Sequence, residues 1–319
     1  MKVFDDALSV DSALRGAVLS VGNFDGVHLG HQRILRTARA LATVSSATVI
    51  AMTFEPHPLA ILSPNRAPAR LTPWDEKAHQ LGKAGADVVV RLATDQALLS
   101  LSAEDFVKQV LVKQIHPSYI VEGPSFAFGH NRQGDTETLR RLSGRGGFQV
   151  HVVAPYRLTM GADDRQAVVS STRIRQCLRA GDVAEAAACL GRPYSLFGRI
   201  VHGAGDGKKL GYPTINLDIS EQLIPAEGVY AGAAVIGGQR RAAAVSIGCR
   251  PTLGGQSLVV EAFCLDDSGD WYGLDVRLEL LAFVRAQQRF ESREALTAQI
   301  ARDIEVVRHV VPPTVGGSD

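Results

Sequence analysis

The pattern of apolar and polar positions changes character partway along the chain. In the first half, Ala17 to Val21, Thr48 to Thr53, Asp87 to Leu92, Tyr119 to Val121 and Gln149 to Val153 read as short strands. Between them, Gln32 to Ala42 and Ala103 to Gln114 read as helices, with Ser102 a cap for the second. A further helix start is expected at Thr72-Pro73-Trp74-Asp75-Glu76, with Thr72 as N-cap and Pro73 in the first turn. Strand, loop and helix in repeated order predict a parallel sheet with helices on its faces.

Gln176 to Leu190 reads as a helical connector broken at Ala180-Gly181-Asp182. Beyond it the texture is that of a compact antiparallel barrel: short β-rich runs separated by glycine turns. The runs are Phe197 to Val201, Gly228 to Ile236, Arg241 to Ile247, Leu258 to Leu265 and Asp275 to Phe283. Glu294 to Arg308 is the expected closing helix, capped near Ser292, and the tail from Pro312 to Asp319 is expected to be disordered. These signals predict domains at 1–185 and 186–310, followed by a tail at 311–319.

At 319 residues, 45% of them hydrophobic, the chain is long enough for two cored domains. No apolar run reaches the roughly 18 residues that a membrane span needs. Met1-Lys2-Val3-Phe4-Asp5-Asp6 has acids where a signal peptide has a basic start, so a cytoplasmic location is the expectation. A net charge of +1, from 34 basic and 33 acidic side chains, argues against a nucleic-acid partner. The basic cluster Arg140-Arg141 with Arg145 reads as a solvated face. Cys177, Cys189, Cys249 and Cys264 have no Cys-x-x-Cys spacing and read as free thiols.

The chemistry concentrates in loops. Val21-Gly22-Asn23-Phe24-Asp25-Gly26-Val27-His28-Leu29-Gly30-His31 joins a strand to a helix. Such a turn gathers free N–H groups and the positive helix end at one spot, suited to nucleotide phosphates. In parallel sheets this is also the ligand-binding end of the strand. Gly26 and Gly30 would let backbone and phosphate approach. His28 and His31 share one helical face. They could instead be a metal pair, although no Cys or further His lies close by to complete a tetrahedral set. The string resembles the signature of nucleotidyltransferases, and with Phe24-Asp25-Gly26 ahead of the histidines it is similar to bacterial FAD synthetase. The resemblance implies a Rossmann-like α/β domain with a parallel sheet. In it, Gly22, Phe24 and Gly26 meet ATP, while His28 and His31 stabilise charge as pyrophosphate leaves.

Val169-Ser170-Ser171-Thr172-Arg173-Ile174-Arg175 precedes a helix, where hydroxyls are ordinary caps and also a possible phosphate cradle. It resembles the Ile-Ser-Ser-Thr-x-x-Arg element of the same superfamily, which implies that Ser171, Thr172 and Arg175 reach the triphosphate. Ser125-Phe126-Ala127-Phe128-Gly129 stands where the family often has Asp-Phe-x-Phe-Gly, and His57 and Phe128 are the flavin-contact candidates in this half.

The second half carries Gly203-Ala204-Gly205-Asp206-Gly207-Lys208-Lys209-Leu210-Gly211-Tyr212-Pro213-Thr214-Ile215-Asn216. A glycine loop alone is a weak phosphate signal. Here it runs into a hydroxyl and an amide two residues apart, which share one face of an extended chain and suit Mg²⁺. This half resembles riboflavin kinase through that element and through Gly228-Val229-Tyr230-Ala231, Ile247-Gly248-Cys249-Arg250-Pro251-Thr252, Glu261, Trp271-Tyr272-Gly273 and Leu296-x-x-Gln299-Ile300-x-x-Asp303.

The resemblance implies an antiparallel barrel with a C-terminal helix. Gly205, Gly207, Lys209 and Gly211 would hold ATP, Thr214 and Asn216 would hold Mg²⁺, and Arg250 would meet the flavin. It also implies that Glu261 is the general base for the riboflavin 5′-hydroxyl, a poor nucleophile unaided. Lys208, Ser246 and Ala286-Gln287 depart from the family pattern.

The whole chain is thus similar to the bifunctional bacterial riboflavin kinase/FAD synthetases, which use ATP to convert riboflavin to FMN and FMN to FAD. Two rivals remain at this point. One is a nucleotidyltransferase with a regulatory flavin-binding second half. The other is a non-catalytic sensor, against which the retained histidines, Ser-Ser-Thr-x-x-Arg and Pro-Thr-x-Asn argue.

Overall fold

Strands β1 (Lys2–Phe4), β2 (Val18–Gly22), β3 (Val49–Glu55), β4 (Val88–Ala93), β5 (Tyr119–Glu122) and β6 (Gln149–Val152) form one sheet in the order β1-β4-β3-β2-β5-β6. Every pairing in it is parallel. The computed structural model describes residues 1–5, 14–160, 165–203, 207, 210–252, 255–267 and 269–311.

Successive strands run outward from β2 through β3 to β4, and the chain then returns to the other side of β2 as β5. The order therefore reverses between β2 and β5. Ligands bind at such a reversal, beyond the carboxyl ends of the strands. The four inner strands β2 to β5 are mostly apolar on both faces because both faces are covered, while the edge strands β1 and β6 are partly exposed. Leu19, Val21, Ile50 and Met52 pack with Phe106 and Leu111 on one side. Val18, Val49, Ala51 and Val89 pack with Leu35, Ala38 and Leu81 on the other.

The helices of this half are α1 (Leu29–Ser45), α2 (Pro58–Leu62), α3 (Trp74–Lys83), α4 (Gln96–Leu99), α5 (Ala103–Phe106) and α6 (Thr136–Gly146). Ser102 caps α5, which runs on as a π-helix over Val107–Ile115. The N-cap of α3 is Pro73 rather than Thr72. The Thr72 N–H donates to Asp25 at 3.2 Å. A hairpin of β7 (Arg157–Met160) and β8 (Arg165–Val168) follows.

By contact density the chain divides into Met1–Ser171 and Thr172–Asp319. Helices α7 (Ser171–Arg179) and α8 (Val183–Leu190) precede the barrel. The Ala226 N–H donates to Leu178 O at 2.9 Å, which ties α7 to the second unit.

Strands β9 (Tyr194–Val201), β10 (Ile215–Asp218), β11 (Gly228–Ile236), β12 (Gln239–Thr252), β13 (Gly255–Cys264) and β14 (Asp275–Arg285) close in the order β10-β13-β12-β11-β14-β9. The last helix, α9 (Arg293–Val310), is capped by Ser292. It lays Val307 over Ala231 and Ala233 of the barrel. Arg285 donates to both carboxylate oxygens of the buried Asp303, at 2.8 to 3.0 Å, and fixes the helix there. The tail expected to be disordered lies outside the described residues beyond Val311.

Two candidate active sites

In the first unit, β2 ends at Gly22 and the chain turns through three left-handed residues, Phe24 (φ 47°), Gly26 (φ 84°) and Val27 (φ 40°). Only the glycine adopts this region freely; a β-branched residue there is strained and persists because its surroundings hold it. The Asp25 carboxylate accepts from the Leu71 and Thr72 N–H groups at 3.0 and 3.2 Å. Ser171 Oγ donates to Asp25 O at 2.8 Å, and Thr53 Oγ1 donates to Asn23 O at 3.1 Å.

His28 is the N-cap of α1: its Nδ1 accepts from the His31 N–H at 3.4 Å. The accepting nitrogen carries a lone pair, so neutral His28 bears its proton on Nε2. The His28 and His31 rings stack with centroids 3.6 Å apart, and Phe24 meets His31 edge-on at 5.2 Å. A Cβ on Gly30 would lie 3.0 Å from His28 Cε1, so glycine there makes room for the capping ring. A Cβ on Gly22 would touch the Phe24 ring at an ordinary 3.4 Å, so its placement at the strand end is the stronger constraint.

Burial, with His28 and Lys77 alongside, pushes His31 well below the ordinary imidazole value. His31 is therefore neutral, and its Nδ1 is buried without a hydrogen-bond partner. Among the described residues, no three His, Cys, Asp or Glu side chains gather as a metal set.

His57 caps α2, with the Leu59 N–H donating to its Nδ1 at 3.1 Å. Asn23 Nδ2 lies 3.2 Å from His57 Nε2. Phe128, the other flavin-contact candidate, is 3% exposed and packed between Phe106 and Phe126. A Cβ on Gly134 would lie 2.7 Å from that ring, so glycine there makes space for it. Thr172 and Arg175 fall in the second unit, in the N-terminal half of α7, where Arg175 is buried.

Several polar residues around this loop have no counterpart in the sequence reading. Glu122 ends β5, is 3% exposed, and accepts from the Val21 N–H at 2.6 Å and Ser20 Oγ at 3.4 Å. Burial raises its carboxyl well above the usual range, and those two donors only partly offset it. Glu55 pairs with Lys77 at 2.9 Å and Arg70 at 2.7 Å. Burial acts to raise Glu55, but the two cations outweigh it and the net shift is downward. A charged residue closing the apolar run Tyr119-Ile120-Val121 was the available signal for Glu122. Nothing in spacing marks Lys77.

In the second unit, Glu261 on β13 pairs directly with Asn216 on β10 and with Ser246 on β12. Residues directly opposite in a sheet share a face, so the three side chains form one row. A Cβ on Gly203 would collide with the Asn216 amide, and one on Gly207 would lie 3.2 Å from Thr214 Oγ1. The Thr214 hydroxyl and the Asn216 amide therefore both lie against the glycine segment. Tyr212 meets Phe263 edge-on at 5.4 Å, next but one to Glu261 along β13.

A cavity of about 480 Å³ opens beside the row, lined by Glu227, Ser246, Cys249, Val259, Glu261 and Gln287 among others. Gln287 donates to Ser246 Oγ at 2.9 Å and to Ile247 O at 3.0 Å, fixing one wall. Gly211 takes φ 84°, which favours glycine. Gly205 and Lys209 lie outside the described residues, as does the side chain of Arg250 on β12.

Comparison with known proteins agrees with this geometry. The FAD synthetase family matches residues 10–173, and the riboflavin kinase family matches residues 190–311. The bifunctional riboflavin kinase/FMN adenylyltransferase of Escherichia coli (strain K12) is 36% identical over 289 residues, covering 90% of each chain. The Haemophilus influenzae protein of that name is 35% identical over 301 residues, covering 94% of this chain and 96% of its own. A crystal structure described as a macrolide-efflux protein from Streptococcus pneumoniae superposes with TM-score 0.85 at 29% identity, covering 96% of this chain and 98% of its own. The fold likeness stands whatever that description says; among the described residues, no helix is long and apolar enough to cross a membrane. Two family matches in tandem and full-length relatives make this chain a member of the bifunctional riboflavin kinase/FMN adenylyltransferase family, an enzyme that phosphorylates riboflavin to FMN and then adenylylates FMN to FAD.

Proposed function

We propose that Glu261 and the histidine loop divide the two transfers between the units. In the second unit, the Glu261 carboxylate takes the proton of the riboflavin 5′-hydroxyl. The freed oxygen bonds to the γ-phosphorus of ATP, and ADP leaves. Gly205, Gly207, Lys209 and Gly211 hold the ATP phosphates, and Arg250 contacts the flavin. Thr214 and Asn216 hold Mg²⁺, whose chemistry when bound is to neutralise phosphate charge. Their hard donors, set against Gly203 and Gly207 where a Cβ would intrude, fit that ion.

In the first unit, a phosphate oxygen of FMN bonds to the α-phosphorus of ATP and pyrophosphate leaves. The nucleophile is already ionised, so no base is required. Gly22, Phe24 and Gly26 shape the ATP pocket, and His57 contacts the flavin. His28 and His31 act as N–H donors to the departing phosphates. Ser171, Thr172 and Arg175 are assigned to the triphosphate from their sequence pattern, Arg175 supplying fixed charge. Residues 1–185 and 186–310 are the working domains, and the cytoplasm is the expected location.

The row Asn216–Glu261–Ser246 beside the cavity is the observation that carries the reading. The test is Glu261→Gln assayed with riboflavin, ATP and Mg²⁺. FMN formation should fall about 10²- to 10⁴-fold, the range of general-base catalysis, while FAD formation from supplied FMN persists. Undiminished phosphorylation would remove Glu261 from the base role. His28→Ala with His31→Ala should give the mirror result, FMN accumulating without FAD.

A further inference from the structure

The hydrogen bonds around His57 determine where its proton sits. Leu59 N–H donates to Nδ1 at 3.1 Å. A ring nitrogen that accepts carries a lone pair, so the proton of the neutral imidazole is on Nε2. The group facing that Nε2–H is the Asn23 amide at 3.2 Å. With Nδ2 toward the ring, two donors would oppose each other, and Asn23 Oδ1 would stay buried without a partner. The two ends of an amide are nearly alike in shape, so a half-turn changes the chemistry without changing the packing. Turned, Oδ1 accepts from Nε2–H. The N–H donors then stand where the unpartnered oxygen was, ready for an acceptor oxygen from water or substrate. The Asn23 backbone is pinned by Thr53 Oγ1 at 3.1 Å, so this rotation is the freedom the residue retains.

We propose that Asn23 is a positioning residue of the adenylyl-transfer site, its amide oxygen locking His57 as the Nε2–H tautomer. Nδ1 is given to the α2 cap and Nε2–H to Asn23. His57 therefore serves the reaction by the placement of its ring face and not by proton transfer. The kinetic arm of the test rests on the adenylylation reading; the spectroscopic arm does not.

The experiment uses full-length ¹⁵N-labelled protein and multiple-bond ¹H–¹⁵N spectra at neutral pH, with His57 assigned by its disappearance in His57→Gln. The expected spectrum shows a protonated Nε2 and a bare Nδ1. Asn23→Leu keeps the size and removes the acceptor. It should speed exchange of the Nε2 proton and raise KM for FMN in FAD formation about tenfold, the effect of one lost hydrogen bond, with kcat little changed. Asn23→Asp accepts whichever way it faces and should restore both. Far-UV circular dichroism and the dispersion of the first unit's amide resonances report that the variants fold, and should Asn23→Leu misfold, the wild-type spectrum and Asn23→Asp decide. A wild-type Nδ1–H tautomer would overturn the proposal, as would an Asn23→Leu variant with unchanged Nε2 exchange and unchanged KM. Absence of FAD formation in the unmutated protein would instead defeat the adenylylation reading and leave the tautomer to the spectrum.

Discussion

Replacing Glu122 tests how the sheet is held at its ligand-binding end. Strand β2 pairs with β5 only at Val18–Tyr119 and Leu19–Ile120. The next N–H pointing to that side belongs to Val21, and the Glu122 carboxylate takes it in place of a backbone carbonyl. Glu122→Val removes the acceptor and leaves a buried donor, which costs about 1–3 kcal/mol. For a unit of this size that corresponds to a fall in Tm of roughly 2–4 °C per kcal/mol. Glu122→Gln keeps an acceptor oxygen and should be far milder.

The pH dependence separates charge from shape. The folded carboxyl binds its proton more tightly than the unfolded one. Above about pH 4.3, the unfolded-state value, native Glu122 holds a proton that the unfolded chain has lost. Stability contributed by this group therefore declines as pH rises from there toward the elevated native value, and the Gln variant lacks that decline. Urea unfolding of the three proteins at pH 5, 6, 7 and 8, followed by far-UV circular dichroism, measures both effects. Equal stability of the Val variant, or identical pH slopes for wild type and Gln, would refute the reasoning.

Three further outcomes follow from the same physics. His31 is neutral in the fold with a lowered value; the unfolded imidazole takes a proton first as pH drops below about 6.5, so unfolding at pH 5.5 against pH 7.5 should show stability lost on acidification, a loss that His31→Phe should lessen. Gly203→Ala should depress FMN formation and raise the Mg²⁺ concentration needed for half-maximal rate, because its methyl would displace the Asn216 amide, while FAD synthesis from FMN is unaffected. Asp303→Ala leaves Arg285 without its buried carboxylate and should cost about 3–5 kcal/mol in chemical unfolding, with Asp303→Glu recovering part of it.

The periodic parts of the fold were readable from the chain, and the reason is burial. β2 to β5 announce themselves because both faces are covered and most of their residues are apolar. β1 is three residues long, too short to show a period, and β7 and β8 mix polar and apolar residues with no apolar run to mark them. β10 hides behind the glycine loop that it terminates. The π-helical run at Val107–Ile115 keeps a helix-like apolar pattern, so its different hydrogen bonding leaves no trace in composition.

The site was legible where backbone geometry demands a residue type. Gly26 needs a positive φ, and His28 doubles as the helix cap. It was illegible where a residue acts across the fold. Asp25 reaches Leu71, Glu122 reaches Val21, and Glu55 reaches Lys77, pairings that tertiary structure alone creates. For Phe128, an aromatic beside a glycine fits a ligand shelf and a core equally well in sequence, and its packing against Gly134 appears only in the fold.

The alignment of Asn216, Glu261 and Ser246 across three neighbouring barrel strands makes the proposed kinase centre a ruler with fixed graduations, about 4.8 Å from one strand to the next. Adding or deleting a single residue within any of these strands would rotate its member of the trio toward the opposite side of the barrel wall. Length change should therefore be borne by the connecting loops, and a one-residue insertion within any strand that carries the trio should abolish FMN formation.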